Sequence, residues 1–428
     1  MIWWVKNEMY ESAVKPAVQR VAQHAEPVGI RLAAHETIVS GPHRRFDEST
    51  KQEVHHMPVT PFRLERFFAK HEFSTKYLLS ASDCESLTMA EVLQMATPES
   101  RELWDSLNLG YTESPGHSLL RVEVAKLHER ITPDQVLIAV PEEAIYIAMR
   151  SLLSPGDHVI VLSPCYQSLA EIARWIDCSV TPWMLEPAAH GWQLDLAQLE
   201  ASLTARTRLL VLNFPNNPTG YLPARGEFDA IINFARKHQL TIFSDEMYRL
   251  LESDAALRLP SVADVYEGGV ALCGLSKSFA LPGLRIGWLA SQDRQLIERC
   301  LEFKDYTTIC SSAPAEILGI IALQNTARIV HRNCGIIRRN TAIAEQFFSR
   351  HRKKVAWVSP TAGSIAFPKW LGDEPVEQFC QSVLEELGVF TVPGSLFDFP
   401  GNYFRIGLGR RNFGEVLEQL DEYLGLHK

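Results

Sequence analysis

From residue 136 onward, short apolar runs and longer amphipathic stretches take turns along the chain. The runs Val136 to Ala139, His158 to Leu162, Arg208 to Asn213, Leu240 to Phe243, Val270 to Cys273 and Ile286 to Ala290 are rich in aliphatic and β-branched side chains, which predicts buried strands. Many of them are separated by helical periods at about Glu142 to Leu153, Gln167 to Ile176, Glu227 to His238 and Gln295 to Tyr306. Strands alternating with helices predict an α/β fold with a largely parallel sheet. Upstream, Phe62, Leu64, Phe67 and Phe68 fit a short amphipathic helix over Phe62 to Glu72, with Glu65 and Glu72 on roughly one side. A small, acidic loop, Leu78 to Leu87, then leads into a helix over Thr88 to Met95, with Ser86 as its candidate cap. After Ser311 the pattern changes. A long helical run covers about Ala313 to Arg350, followed by strand-like pieces near Val355 to Val358 and Ser364 to Phe367, a helix over Val376 to Leu387, another strand, and a last helix over Phe413 to Leu424.

Residues 1–56 show neither period and form an arm of unknown role. With 428 residues, 46% of them hydrophobic, the chain can bury a large core and is expected to form two domains, or one large domain with an elaboration. Its net charge of -9 argues against nucleic acid as a partner, which would need a basic face to displace counterions. The eight cysteines include no CxxC pair and no Cys/His spacing suited to zinc, and His55 and His56 adjoin without further ligands nearby. Reduced thiols and no metal are therefore expected. No apolar run of membrane-spanning length and no signal-peptide core occurs, so a soluble, cytoplasmic protein without a membrane partner is expected.

In open α/β sheets the ligand lies beyond the carboxyl ends of the strands, and the unusual residues of this chain follow predicted strands. NFPNNPTG, Asn213 to Gly220, follows the third; SDEMY, Ser244 to Tyr248, the fourth; Ser276-Lys277 the fifth. Within LSKSFALPGLRIGW, Leu275 to Trp288, Lys277 precedes Arg285 by eight positions. A lysine at a strand end can form a Schiff base when its amine is partly neutral, and an arginine offers a fixed fork to a phosphate. Together they suggest a cofactor with both an aldehyde and a phosphate, pyridoxal 5'-phosphate (PLP). A lone Ser-Lys pair would carry no such meaning, since most lysines are solvated charges.

NNPTG, then DxxY, then SKxxxxxGxRxG, in that order, resemble the fold-type-I PLP enzymes of the class I/II aminotransferase family, over roughly Phe62 to the C-terminus. The resemblance implies an aspartate-aminotransferase-like fold: a segment over 57–110 covering the active site, a large PLP-binding domain over 111–312 with a mostly parallel sheet, and a smaller α/β C-terminal domain over 313–428. It implies an aminotransferase that acts on an α-amino acid, with a keto acid as second substrate, through a Schiff base on Lys277. Asp245 would then pair with the pyridine nitrogen and keep it protonated, so that the ring accepts electron density. Asn217 and Tyr248 would hydrogen-bond the phenolic oxygen, although alone they also read as a turn asparagine before Pro218 and a core tyrosine. Arg285, Ser276 and the free N–H groups at the start of the helix near Glu142 and Glu143 would cradle the phosphate; Pro141 suits the first turn of that helix. Two departures stand out: Val140-Pro141-Glu142-Glu143 replaces the usual Gly-Ala/Ser, and Gly274 stands where a serine often precedes the lysine by three. Two glutamates beside a phosphate must point away from it. By the same resemblance Tyr166 stacks on the pyridine face, and Tyr111 extends into the neighbouring subunit's phosphate site, which implies a homodimer with shared active sites. Arg405, in YFRIGLG, grips the α-carboxylate; a plain salt-bridge partner is the alternative there.

Where family members have a glycine, LSASDCE has Ser82, and it adds Asp83 beside Glu85. With PEEAIYIAM and PCYQSL, this segment resembles more loosely the subgroup that includes capreomycidine-synthase-like enzymes, which cyclise hydroxylated arginines. That implies, as an alternative, a PLP-dependent lyase or cyclase forming a cyclic guanidino amino acid. Carboxylates at Glu65, Glu72, Asp83 and Glu85 would suit a guanidinium or ammonium, whereas most glutamates on short helices face solvent. Ser82, Asp83 and Glu85 are thus candidate substrate residues together with Asn217 and Arg405.

Overall fold

Seven strands form the central sheet of the computed structural model, which describes residues 60–188 and 191–426; the arm expected over 1–56 lies outside the described residues. They are β1 (Val136–Ala139), β2 (His158–Ser163), β3 (Ser179–Met184), β4 (Thr207–Asn213), β5 (Thr241–Asp245), β6 (Gly269–Gly274) and β7 (Gly287–Ser291), in the spatial order β1-β7-β6-β5-β4-β2-β3. The block from β3 to β6 is parallel, and β7 runs antiparallel to both of its neighbours. Strands covered by helices on both faces read as unbroken apolar runs, and every residue of β1 and β6 is buried. Alternate residues serve opposite layers. Leu137 and Ala139 pack with Ala144, Ile147 and Ala148 of the helix Pro141–Leu152, whereas Val136 and Ile138 pack with Leu120 and Ile320.

Three local expectations are corrected. The edge strand β3 was not among the predicted strands, because Pro182 interrupts its pattern and only Trp183 of its residues is buried; an edge tolerates both. The helix expected over Thr88 to Met95 spans Met89–Leu93, and its cap is Thr88 rather than Ser86. Thr88 Oγ1 accepts the Glu91 N–H at 3.2 Å while the Glu91 carboxylate accepts the Thr88 N–H at 2.8 Å, a reciprocal box. The run expected from Ala313 to Arg350 is two helices, Ala313–Gln324 and Thr326–Arg350, with Asn325 between them. Asn325 Nδ2 donates to Ile321 O and Met95 O, which fixes the break. The first helix is buried on every side from Ala315 to Leu323, so its apolar pattern gave no phase by which to see that break.

Residues after Arg350 build a three-stranded sheet, Ile365–Ala366, Phe404–Gly407 and Val392–Pro393, next to the helices Val376–Leu387 and Phe413–Leu426. The segment before β1 is tied to this part of the chain. Tyr77–Leu78 pairs parallel with Val389–Phe390, and Gly407 N–H donates to Leu79 O at 2.6 Å. The approach is so close that a Cβ on Gly407 would lie 1.7 Å from Ala81 O, and one on Gly409 2.3 Å from Asp83 O. Only residues without a side chain let 79–83 lie here. Among the described residues no helix is long and apolar enough to cross a membrane.

Gly407→Ala is expected to destabilise the chain by roughly 1–3 kcal/mol or more, the cost of overpacking a site that cannot yield. Urea unfolding should show a lower midpoint at unchanged slope; an unchanged midpoint would mean that 79–83 does not press on this strand.

Candidate active site

The carboxyl ends of β4, β5 and β6 meet at one edge of the sheet, where Asn213 and Asp245 lie opposite each other. Because β7 is antiparallel and begins opposite Gly274 and Ala139, Arg285 reaches the same edge. So does the start of the helix Pro141–Leu152. The topology therefore gathers residues from five segments of the chain at one place.

Asp245 is buried, and its Oδ1 accepts a single described hydrogen bond, from Met247 N–H at 3.0 Å. Burial pushes its pKa up to about 6 against the opposing charge of Lys277. Lys277 Nζ donates to Ser82 Oγ at 2.8 Å and lies 5.9 Å from the centre of the Tyr248 ring. The Tyr248 hydroxyl is buried with no partner among the described residues. Asn217 is held by its N–H on Asn213 Oδ1 at 2.8 Å, and its own Oδ1 accepts from Arg405 Nη1 at 3.2 Å. Arg405 is 2% exposed. Its Nη2 donates to Ser80 O at 3.2 Å, its Nε has no described partner, and the rings of Phe68 and Phe397 flank it at 5.5 and 5.3 Å. No carboxylate is paired with it among the described residues. Burial lowers its pKa, as it must for a desolvated cation.

The helix Arg63–His71 closes this side. Glu65, Phe68 and Glu72, at i, i+3 and i+7, share one face. Phe68 covers Arg405, and Glu65 Oε1 accepts from the Tyr166 hydroxyl at 2.6 Å. The Glu72 carboxyl is raised first by burial and then by the charges of Asp83 and Glu65. Tyr166 follows β2; Pro164 O beside it accepts from Asn216 Nδ2 at 3.0 Å, which ties this turn to the NNPTG loop. The Tyr166 phenol is held well above its ordinary pKa by burial and by Glu142 and Glu65.

Asp83 and Glu85 are engaged by the chain itself. Asp83 accepts Arg410 Nη2 at 2.9 and 3.1 Å, and Glu85 accepts the backbone N–H of Arg411 at 3.3 Å. Of the two glutamates expected to turn from a phosphate, Glu143 bends back onto Val140 N–H, Thr308 N–H and the Thr307 hydroxyl. Glu142 instead meets the Ser168 hydroxyl at 3.2 Å, and burial pushes its pKa up to about 7, so the neutral form is well populated at neutral pH. Ser276 is buried. Arg285 is exposed, with a left-handed backbone and Nη1 on Pro282 O at 2.9 Å. Tyr111 is 93% exposed, with Leu109, Tyr306 and Ile309 also exposed; Thr112 and Ser114 hydrogen-bond Ser311 O and Ile309 O, stitching the two stretches together. Sequence reasoning missed Arg410, Ser168 and Phe397. A second arginine five residues after Arg405 was the one available sign of Arg410.

A lysine amine, a buried carboxylate short of donors, an unpartnered buried phenol, an unpaired guanidinium and an exposed arginine beside an open helix start make a donor set that fits PLP. Residues 74–418 match the family described as aminotransferase class I and II. The chain is 30% identical to the capreomycidine synthase of Streptomyces vinaceus over 379 residues, which covers 87% of this chain and 95% of that protein. Among solved structures it resembles a PLP-dependent aminotransferase from Streptococcus suis (31% identity, TM-score 0.82, 87% of this chain and 99% of that one). It also resembles the PLP-dependent cyclase OrfR (25% identity, TM-score 0.78, 86% and 98%).

The Glu142 carboxyl sets a pH dependence. Its folded pKa of about 7 lies above the ordinary glutamate value of 4.5, so its favourable share of stability is complete below pH 4.5 and is lost as pH rises through 7. Glu142→Gln, which keeps the Ser168 contact without the charge, is expected to match the parent at about pH 4 and exceed it by about 1–3 kcal/mol at pH 8. Parallel unfolding midpoints at the two pH values would mean that Glu142 titrates normally.

Proposed function

Because the chain belongs to the aminotransferase class I and II family, whose members are PLP enzymes, we propose that it transfers the amino group of an α-amino acid with a cationic side chain to a keto acid. The observation that carries this reading is Arg405. A buried guanidinium without an anion is costly, and this one keeps an unpartnered N–H while Asn217 and Ser80 fix its plane. An α-carboxylate completes it through a charge-assisted fork.

In this reading Lys277 would bond the PLP aldehyde, Asp245 would hold the ring nitrogen, and Asn217 and Tyr248 would hold the phenolic oxygen. Tyr166 would lie against the ring, and Ser276, Arg285 and the N–H groups after Val140 would take the phosphate. PLP supplies a reactive carbonyl and a sink for the electrons left at Cα. The chain supplies the rest. Asp245, uneasy as a buried anion, gains a cation when the pyridine nitrogen is protonated. Lys277 Nζ, steered by Ser82 Oγ, moves the Cα proton. On the side-chain side, Asp83 is already balanced by Arg410, so Glu65 and Glu72 leave an excess of negative charge for an ammonium or guanidinium.

A second reading is favoured by Ser82, a hydroxyl on the lysine where the family resemblance expects glycine, and by the likeness to capreomycidine synthase and a cyclase. There, a hydroxylated arginine loses its β-hydroxyl as water and a guanidino nitrogen closes the ring, with no keto acid consumed.

The proposed organisation follows the same lines: 57–110 covers the site, 111–312 binds the cofactor, and 313–428 is the smaller domain. The exposed apolar stretch of Leu109, Tyr111, Tyr306 and Ile309 supports a homodimer in which Tyr111 reaches the partner's site. Eight cysteines without a disulfide suit the cytoplasm.

Arg405→Ala is expected to raise KM for α-amino acids more than tenfold while sparing amines that lack the carboxylate; equal damage to both would make Arg405 structural. Glu72→Gln and Glu65→Gln should each weaken an arginine-like substrate by about tenfold, since a charge-assisted contact is worth roughly 1.5–3 kcal/mol, with little effect on neutral amino acids. Asp83→Asn and Glu85→Gln should show no such selectivity. Product analysis separates the two reactions: a keto acid that needs an acceptor indicates transamination, and loss of water from a hydroxyarginine without one indicates cyclisation. If neutral amino acids turn over best in the parent, the cationic-substrate reading fails.

A further inference from the structure

The helix Thr326–Arg350 carries two asparagines with no exposed surface, Asn333 and Asn340. Asparagine is a weak helix former, and a buried amide is costly unless bonded. Seven residues is two turns, so the two lie on one face about 10.5 Å apart. Each reaches out of its own helix. Asn333 Nδ2 donates at 2.9 Å to Ser278 O, the carbonyl next after Lys277. Asn340 Nδ2 donates to Leu408 O at 2.9 Å and Arg410 O at 2.7 Å, in the turn that follows Arg405. Their amide oxygens are occupied too, by Arg332 Nη1 and Arg339 Nε, which fixes the orientation of both amides.

These bonds join others already described into a closed circuit. Arg410 holds Asp83; the adjacent Ser82 takes the hydrogen bond of Lys277 Nζ; Lys277 leads into Ser278, and Ser278 O returns to Asn333. The Ser278 hydroxyl also donates to Met247 O at 3.3 Å and to Arg249 O, which locks the lysine turn to the segment after Asp245. Lys277 belongs to the end of the central sheet, Arg405 to the three-stranded sheet near the C-terminus. Among the described residues no strand pairing joins these two sheets directly.

We infer that Asn333 and Asn340 are positioning residues that use this helix as a ruler, fixing the distance between the Lys277 amine and the Arg405 guanidinium. The inference rests on the reading that Lys277 moves the Cα proton while Arg405 holds the carboxylate. Both must act on one small substrate, and a displacement of about 1 Å from a remote change can cost roughly a hundredfold in rate. Neither asparagine touches the substrate.

The test uses the full chain with PLP bound, as Asn333→Ala, Asn340→Ala and the double variant. Hydrogen–deuterium exchange is followed in peptides covering 275–281 and 404–413. Asn340→Ala is expected to speed exchange in both peptides although it contacts only the second, and Asn333→Ala in both although it contacts only the first. In steady-state assays each single variant should lower kcat about ten- to hundredfold with KM within about threefold, because Arg405 is intact. The double variant should fall no more than about threefold below the worse single, since either change alone opens the circuit. Asn340→Asp keeps the shape but not the donor and should behave as Asn340→Ala, which serves if the alanine variant folds poorly. Exchange that rises only beside each substituted residue, or losses that multiply in the double variant, would reduce the asparagines to two separate structural contacts. The exchange result does not depend on which lysine bonds PLP, so failure of this inference and failure of the proposed function are distinguishable.

Discussion

A carboxylate with almost no contact with water stands at the end of the central strand of a seven-stranded sheet. Asp245 receives one N–H and the attraction of Lys277, which leave its pKa near 6, well above that of a solvated aspartate. A buried charge of this kind is tolerated where a cation or further donors complete it. The same imbalance runs through its surroundings. Glu142 sits near neutrality beside Ser168, Glu72 is pushed up by burial and by other acids, and Glu65 gives one of its oxygens to a phenol. Against these stand Lys277, Arg405 and the more distant Arg285. In the proposed function this balance would suit a protonated ring at one end and a cationic side chain at the other, with the buried Arg405 guanidinium left for a carboxylate between them.

Holding these groups together is a problem of chain topology. The parallel block from β3 to β6 brings β4, β5 and β6 to one edge, and the reversal of β7 adds Arg285 to it. The opposite wall comes from the two ends of the described chain. Segment 77–83 lies on residues 389–390 and on the strand that carries Arg405, so closely that Gly407 and Gly409 admit no side chain. That contact delivers Ser82 to Lys277. The long helix with its two buried asparagines then ties the wall to the lysine turn.

What was legible in the sequence was local. Apolar runs marked six of the seven central strands, and the motifs at their ends placed Asn217, Asp245, Lys277 and Arg285 at one edge because those motifs sit where strands stop. The edge strand β3 escaped because Pro182 and its exposed positions break the apolar pattern. Contacts made across the chain were out of reach. Ser82 and Lys277 are 195 residues apart, and Asp83 and Arg410 are 327 apart, so no spacing or period announces either pair. The family resemblance and the acids crowded in this segment made Asp83 and Glu85 candidate substrate residues; folding gives Asp83 an internal counter-ion and Glu85 a backbone N–H. Asn333 and Asn340 carried no signal at all, since a polar residue in a helix reads as surface until its burial is known.

The claim on which the rest depends is that Lys277 is the residue that PLP bonds. Borohydride reduction of the PLP-loaded protein, followed by proteolysis and mass spectrometry, reads it directly. The account expects one pyridoxyl group per chain, on the peptide that contains Lys277. A pyridoxyl group on a different lysine, or a protein that binds PLP and yields no labelled lysine, would contradict it.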